Sequence, residues 1–340
     1  MPPFTLKPGW LRAPLGCTVL LVGCGDTTSD ADRVTTLDSL RVLAVRSVPA
    51  DVAPGESARL SALVFEPEGS ELEYAWSWCP ARSDESGNFA CRVDEGQLQE
   101  AWAQANPDVA LPGYDLGSAP EVEFTNVLAP ERLLALCGAL SVSSADPGAV
   151  AFACGARLRV SVGLTVRTQQ AEVTAIKGLV LLPDTAAPEQ RNTNPELPAE
   201  ITVVDLGDQA AILPGAALQA GHEYSLRVDV AEDVAEQVAE QVLAEGSLGA
   251  RVTPAHRETL VLSWFMTQGH PIAPDGEDTL SDNDVTTFLD GRNELSDLGF
   301  NGWQLPLTAG PEDATLMLVL RDERGGVGWA EHSFRVTEAP

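Results

Sequence analysis

The chain has 340 residues, 44% of them hydrophobic, and a formal net charge of −29 with only two lysines, Lys7 and Lys177. The length suits two domains of roughly 150 residues each. So acidic a surface repels nucleic-acid phosphates and anionic lipid headgroups, which excludes both as main ligands and leaves divalent cations or a basic partner as the electrostatically favoured ones.

The first 24 residues read MPPFTLKPGWLRAPLGCTVLLVGC. Lys7 and Arg12 are their only charges, and the uncharged run at 13–23 is a signal-peptide core too short to span a bilayer. The run ends in Leu21, Val22, Gly23 and Cys24. This ending resembles the lipobox of bacterial lipoproteins. The resemblance implies cleavage before Cys24 (a signal peptide over 1–23) and a diacylglycerol thioether on its sulfur. Cys17 is also preceded by Leu-Gly, but Pro14 stands where the aliphatic residue is needed. Several acyl chains give lasting attachment, since each buried methylene contributes roughly 0.8 kcal/mol. Residues 25–33, GDTTSDADR, are too polar to bury a core and read as a leash, within a tether over 24–36. By the lipoprotein sorting rule, Gly25 rather than aspartate after the lipidated cysteine implies the outer membrane. The membrane, reached through this lipid, is thus the first expected partner.

Cys79, Cys91, Cys137 and Cys154 remain after Cys17 and Cys24 are set aside. An even number in an exported chain predicts two disulfides. Three pairings are open, and loop closure favours Cys79 with Cys91 and Cys137 with Cys154. Zinc is disfavoured, because there is no C-x-x-C and no histidine lies near any of the four in sequence.

The body divides at LPDTAAPEQRNTNPELP, 182–198, whose four prolines make a poor helix and a poor central strand. This gives a first domain over 37–185, a linker over 186–198 and a second domain over 199–340. Ala58, Leu60, Ala62 and Val64 alternate with mostly polar residues, as do Tyr224, Leu226, Val228 and Val230 at an offset of 166. Leu72, Tyr74 and Trp76 parallel Leu260, Leu262 and Trp264 at an offset of 188. Each half closes on a long alternating run, a polar turn and a second run: Leu158 to Ala175, and Leu316 to Val336.

Strand, turn, Trp-bearing strand and closing hairpin resemble Ig-like and PKD-like repeats. The resemblance implies a mainly β chain of two tandem Ig-like antiparallel sandwiches with short helical inserts, each able to fold alone with few contacts crossing the linker. Trp76 and Trp264 are the expected core pins, with Trp78 on the face of Trp76, while Trp303 and Trp329 are free to be surface anchors. Helices are predicted at 231–245, from valines four apart, at 96–105, and from Pro130 through Leu140.

No catalytic pattern appears. The four histidines are isolated, and no nucleophile elbow, phosphate loop or dinucleotide fingerprint occurs. The expectation is a chain that is not an enzyme and needs no cofactor. One acidic loop carrying Asp275, Glu277, Asp278, Asp282 and Asp284 offers many oxygen ligands, although in no EF-hand order, and is the one candidate for Ca²⁺. The function expected is an envelope scaffold, adhesion or accessory binding protein. The alternative is a surface lipoprotein capturing glycan or peptide, for which an exposed aromatic cleft would be the sign.

Overall fold

The computed structural model describes residues 35–80, 82, 89–127, 158–182, 191–238, 241–243, 250–252, 256–272, 286–289, 300–308 and 313–338. The expected helix from Pro130 through Leu140, Cys24, Cys137, Cys154 and the acidic loop from Asp275 to Asp284 lie outside them.

In the first half, alternation produces β1 (Arg41–Val48), β2 (Asp51–Val52), β3 (Ser57–Phe65) and β4 (Glu73–Cys79). Helix α1 (Glu95–Ala105) follows, capped by Asp94, whose carboxylate accepts from the Gln97 amide. Then come β5 (Asp115–Gly117), β6 (Val122–Thr125), β7 (Leu158–Arg167) and β8 (Glu172–Leu181). The strands form two sheets, in the orders β1-β3-β6 and β2-β8-β7-β4-β5. Between them lies a core containing Leu60, Trp76, Trp78, Phe124 and Leu164, with Leu98 and Trp102 of α1 closing one side.

The second half begins with β9 (Thr202–Asp205), β10 (Ala211–Ile212), β11 (Leu218–Gln219) and β12 (Glu223–Arg227). Four short strands follow: β13 (Gln237–Val238), β14 (Gln241–Leu243), β15 (Ala250–Val252) and β16 (His256–Arg257). The chain then runs through β17 (Leu260–Met266), β18 (His270–Ile272), β19 (Thr286–Leu289), β20 (Phe300–Gln304), β21 (Ala314–Asp322), β22 (Val327–Phe334) and β23 (Val336–Thr337). Its main sheets are β10-β9-β12-β20-β18 and β19-β17-β21-β22, enclosing Tyr224, Leu226, Trp264, Trp303, Leu316 and Leu318.

Strand order decides the fold class. In each half the first strand pairs antiparallel with the next long strand (β1 with β3, β9 with β12). A short strand that follows it pairs parallel with the last strand (β2 with β8, β11 with β23). The Trp-bearing strand of each half, β4 or β17, lies beside the penultimate long strand, β7 or β21. Both halves are Ig-like. The two sequence offsets mark equivalent strands. Ala58 faces Phe124 where Tyr224 faces Trp303, so the second module fills the same space with a larger pair.

Two expectations change. Residues 231–245 are not a helix among the described residues, which comprise a 3-10 turn at Glu232–Val234 followed by β13 and β14. Ala235 is buried and Val234 packs on the second core, while β13 pairs with β16, so tertiary pairing overrides the helical spacing. Trp303 is no surface anchor: it is fully buried, and its indole N–H donates to the Gln268 carbonyl at 2.8 Å. No helix among the described residues is long and apolar enough to cross a membrane.

Candidate functional site

A third apolar cluster lies between the two modules. It joins Leu43, Ala44 and Leu63 of the first to Met317, Val319 and Val327 of the second, with Leu37 inserted beside them. Strand β21 explains it. Leu316, Leu318 and Leu320 point into the second core, while Met317 and Val319 point out of the other face into the first module. Strand β3 is likewise two-sided, with Ala58 and Leu60 inward and Leu63 outward. The modules therefore dock through sheet faces, contrary to the expectation that few contacts cross the linker.

Polar groups extend this junction around the turn at 322–326. Lys177 of β8 is buried and donates from Nζ to the Gly325 carbonyl at 2.6 Å. Arg159 of β7 reaches the Arg324 carbonyl at 3.4 Å. Arg321 donates to the Leu43 carbonyl and to Ser263. Asp322 holds the turn from within, accepting from the Gly326 amide at 2.7 Å and from Asn192 at 3.2 Å. Arg324, buried in the turn, donates from Nε to Glu258 at 2.9 Å and from Nη2 to Glu236.

Burial sets the protonation of this cluster. It pushes Glu258 up to about 7, with Asp322 and Glu236 adding to the rise and Arg324 opposing it. Burial also raises Asp322, against its bonds from Gly326 and Asn192. Lys177 is brought down to about 8 by burial, with Asp322 and Asp51 holding it up and Arg159 and Arg321 pushing it further down.

The linker is pinned to both modules. Asn194 donates to the Ser47 carbonyl at 2.7 Å and accepts from the Val327 amide at 2.9 Å. The Asn192 amide donates to Asp51 at 3.0 Å, and Arg191 bonds Glu56. Beside it opens a cleft of about 480 Å³, lined in part by Arg46, Val48, Pro49, Asn192, Glu196 and Trp329. Arg46 stacks over Trp329, which is half-buried rather than free as an anchor.

Of the expected site residues, the structure joins Cys79 to Cys91 as a disulfide. Trp76, Trp78 and Trp264 are buried as expected. Two histidines sit against carboxylates: His222 Nδ1 is 2.6 Å from Asp205, and His256 Nε2 is 2.6 Å from Glu323. Among the described residues no group of three or more His, Cys, Asp or Glu is arranged to hold a metal ion. The sequence reading missed the junction residues Lys177, Glu236, Glu258 and Arg324. A lone lysine inside an alternating strand was the available signal.

No protein-family model matches the chain, and no curated protein does. Solved structures similar to it include three N-terminal domains of the bacteriophage RB49 outer capsid protein Hoc, at 11% identity over 88% of this chain and 69% of that one, TM-score 0.20. The Ig1-2 module of the Drosophila receptor tyrosine phosphatase DLAR is 10% identical, over 88% and 100%, TM-score 0.21. The Bacteroides ovatus mixed-linkage glucan protein SGBP-B is 11% identical, over 88% and 48%, TM-score 0.19. Scores near 0.2 carry no functional weight, and the Ig-like assignment stands on the strand order.

Proposed function

We propose that the protein is a lipid-anchored envelope protein whose two docked Ig-like modules act as a rigid, non-enzymatic scaffold or accessory binding unit. The observation that carries this reading is the apolar layer shared by β1, β3, β21 and β22, which favours a single body of fixed shape over two beads on a string. Burial of Trp76, Trp78, Trp102, Trp264 and Trp303 supports it further, since these rings serve packing and not ligand stacking. Anchoring rests on Leu21, Val22, Gly23 and Cys24, and outer-membrane sorting on Gly25. A Cys24→Ser chain should leave the detergent phase on phase partitioning, and cross-linking in envelopes should recover a protein partner with the anchored form only. Unchanged partitioning would overturn the anchor.

The cleft beside Arg46 and Trp329 favours a second reading, capture of a glycan or peptide. One face of Trp329 is already covered by Arg46, which weakens it as a sugar platform. Saturable binding of an oligosaccharide or peptide, lost in Trp329→Ala, would favour capture over scaffolding.

A further inference from the structure

The turn at 322–326 faces two ways. Its backbone carbonyls receive Lys177 and Arg159 from the first module, while the side chain of Arg324 is held by two carboxylates of the second. Glu258 is 1% exposed, and it shares that one guanidinium with Glu236. Asp322 stands in the same turn, and its neighbour Glu323 bonds His256 and the Thr259 amide. Two carboxylates on one buried cation, with a third beside them, are relieved of mutual repulsion by a single proton.

We propose that the turn is a pH-dependent latch between the modules, closed while Glu258 beside Arg324 holds a proton and loosened when that proton leaves. Once Glu258 is ionised, one guanidinium faces two charged carboxylates, and the excess charge is hydrated only when water enters the turn and shifts the carbonyls that hold Lys177 and Arg159. The raised position of Glu258 fixes the direction. A carboxyl group that binds its proton more tightly when docked favours docking below its free value, and this contribution is lost as pH rises to about 7. Between pH 6 and 8 the open fraction should rise about tenfold from Glu258. Lys177, brought down to about 8, works in the opposite direction, since the open form takes up its proton more readily. Its contribution falls about twofold over the same range, leaving a net rise of roughly fivefold.

Lys177 is the only lysine beyond Lys7, so it reports its own exposure. The full chain would be labelled with an amine-acylating reagent from pH 6 to 8. The rate at Lys177, read by peptide mass spectrometry, is divided by that of a free lysine peptide at each pH. The expected result is a corrected rate that rises roughly fivefold, and a Glu258→Gln chain whose rate instead falls about twofold. A flat or falling wild-type profile would overturn the latch, whatever the variant does. So would a Glu258→Gln chain that keeps the wild-type rise.

Discussion

The guanidinium carbon of Arg46, on β1, lies 4.0 Å from the centre of the Trp329 ring, on β22. The pair bridges the two modules at the mouth of the cleft and continues the apolar layer, against which Trp329 also packs. Burial lowers the Arg46 pKa from its usual value, with Arg59 adding to the fall, yet an arginine that starts so high stays charged. Arg46→Met keeps the length of the side chain and removes the cation. Docking should weaken by about 0.5–2 kcal/mol, the range of a partly desolvated cation–π contact. Urea melts of the two chains check this.

Val319 is fully buried on the outward face of β21. Val319→Asp would bury a carboxylate in that layer, where the nearby Arg321 is already engaged with the Leu43 carbonyl and Ser263. A loss of about 3 kcal/mol or more is expected, with module separation visible as a larger radius in solution scattering. Trp264→Ala should cost roughly 3–5 kcal/mol. Because β21 borders both the second core and the shared layer, the first module's transition should fall together with the second's. Calorimetry of the full chain distinguishes this from independent melting.

The disulfide between Cys79 and Cys91 ties the end of β4 to the segment before α1, with a sequence separation of 12. Replacing both cysteines with alanine should lower stability by about 3 kcal/mol in the loop-entropy model, read as a shifted denaturant midpoint. Alkylation under denaturing, non-reducing conditions tests the expected second pair. Labelling of Cys137 and Cys154 would leave Cys79–Cys91 as the sole bridge.

The Ig-like strands were legible in sequence where one face is wet: Ala58 and Leu60 alternate with exposed Ser57 and Arg59 at the start of β3. The docking was not legible by the same rule. Reading 316–320 as alternation discards Met317 and Val319, whereas an unbroken LMLVL is what a strand covered on both faces requires. The turn DERGG resembled any polar hairpin end, because its partners Lys177 and Glu258 are far away in sequence. Valines four apart at 231–245 suggested a helix because period alone cannot show that β16 stands ready to pair with β13.

Gly328 is where the linker meets β22. A Cβ built there would lie 1.9 Å from the Pro195 carbonyl oxygen, a backbone atom that cannot rotate away. Gly328→Ala must therefore lift the linker, and overpacking of this kind costs about 1–3 kcal/mol. Lifting it also pulls Asn194 away from the Ser47 carbonyl and the Val327 amide. Asn194→Ala deletes those same two bonds and should cost about 1–3 kcal/mol through the buried groups left unpaired. Since both changes undo one contact, their effects should not add. The double variant should be less destabilised than the two single losses predict together, by at least about 0.5 kcal/mol. Urea midpoints of the four chains measure this coupling. Strict additivity would mean that the linker docks on β22 without the help of Asn194.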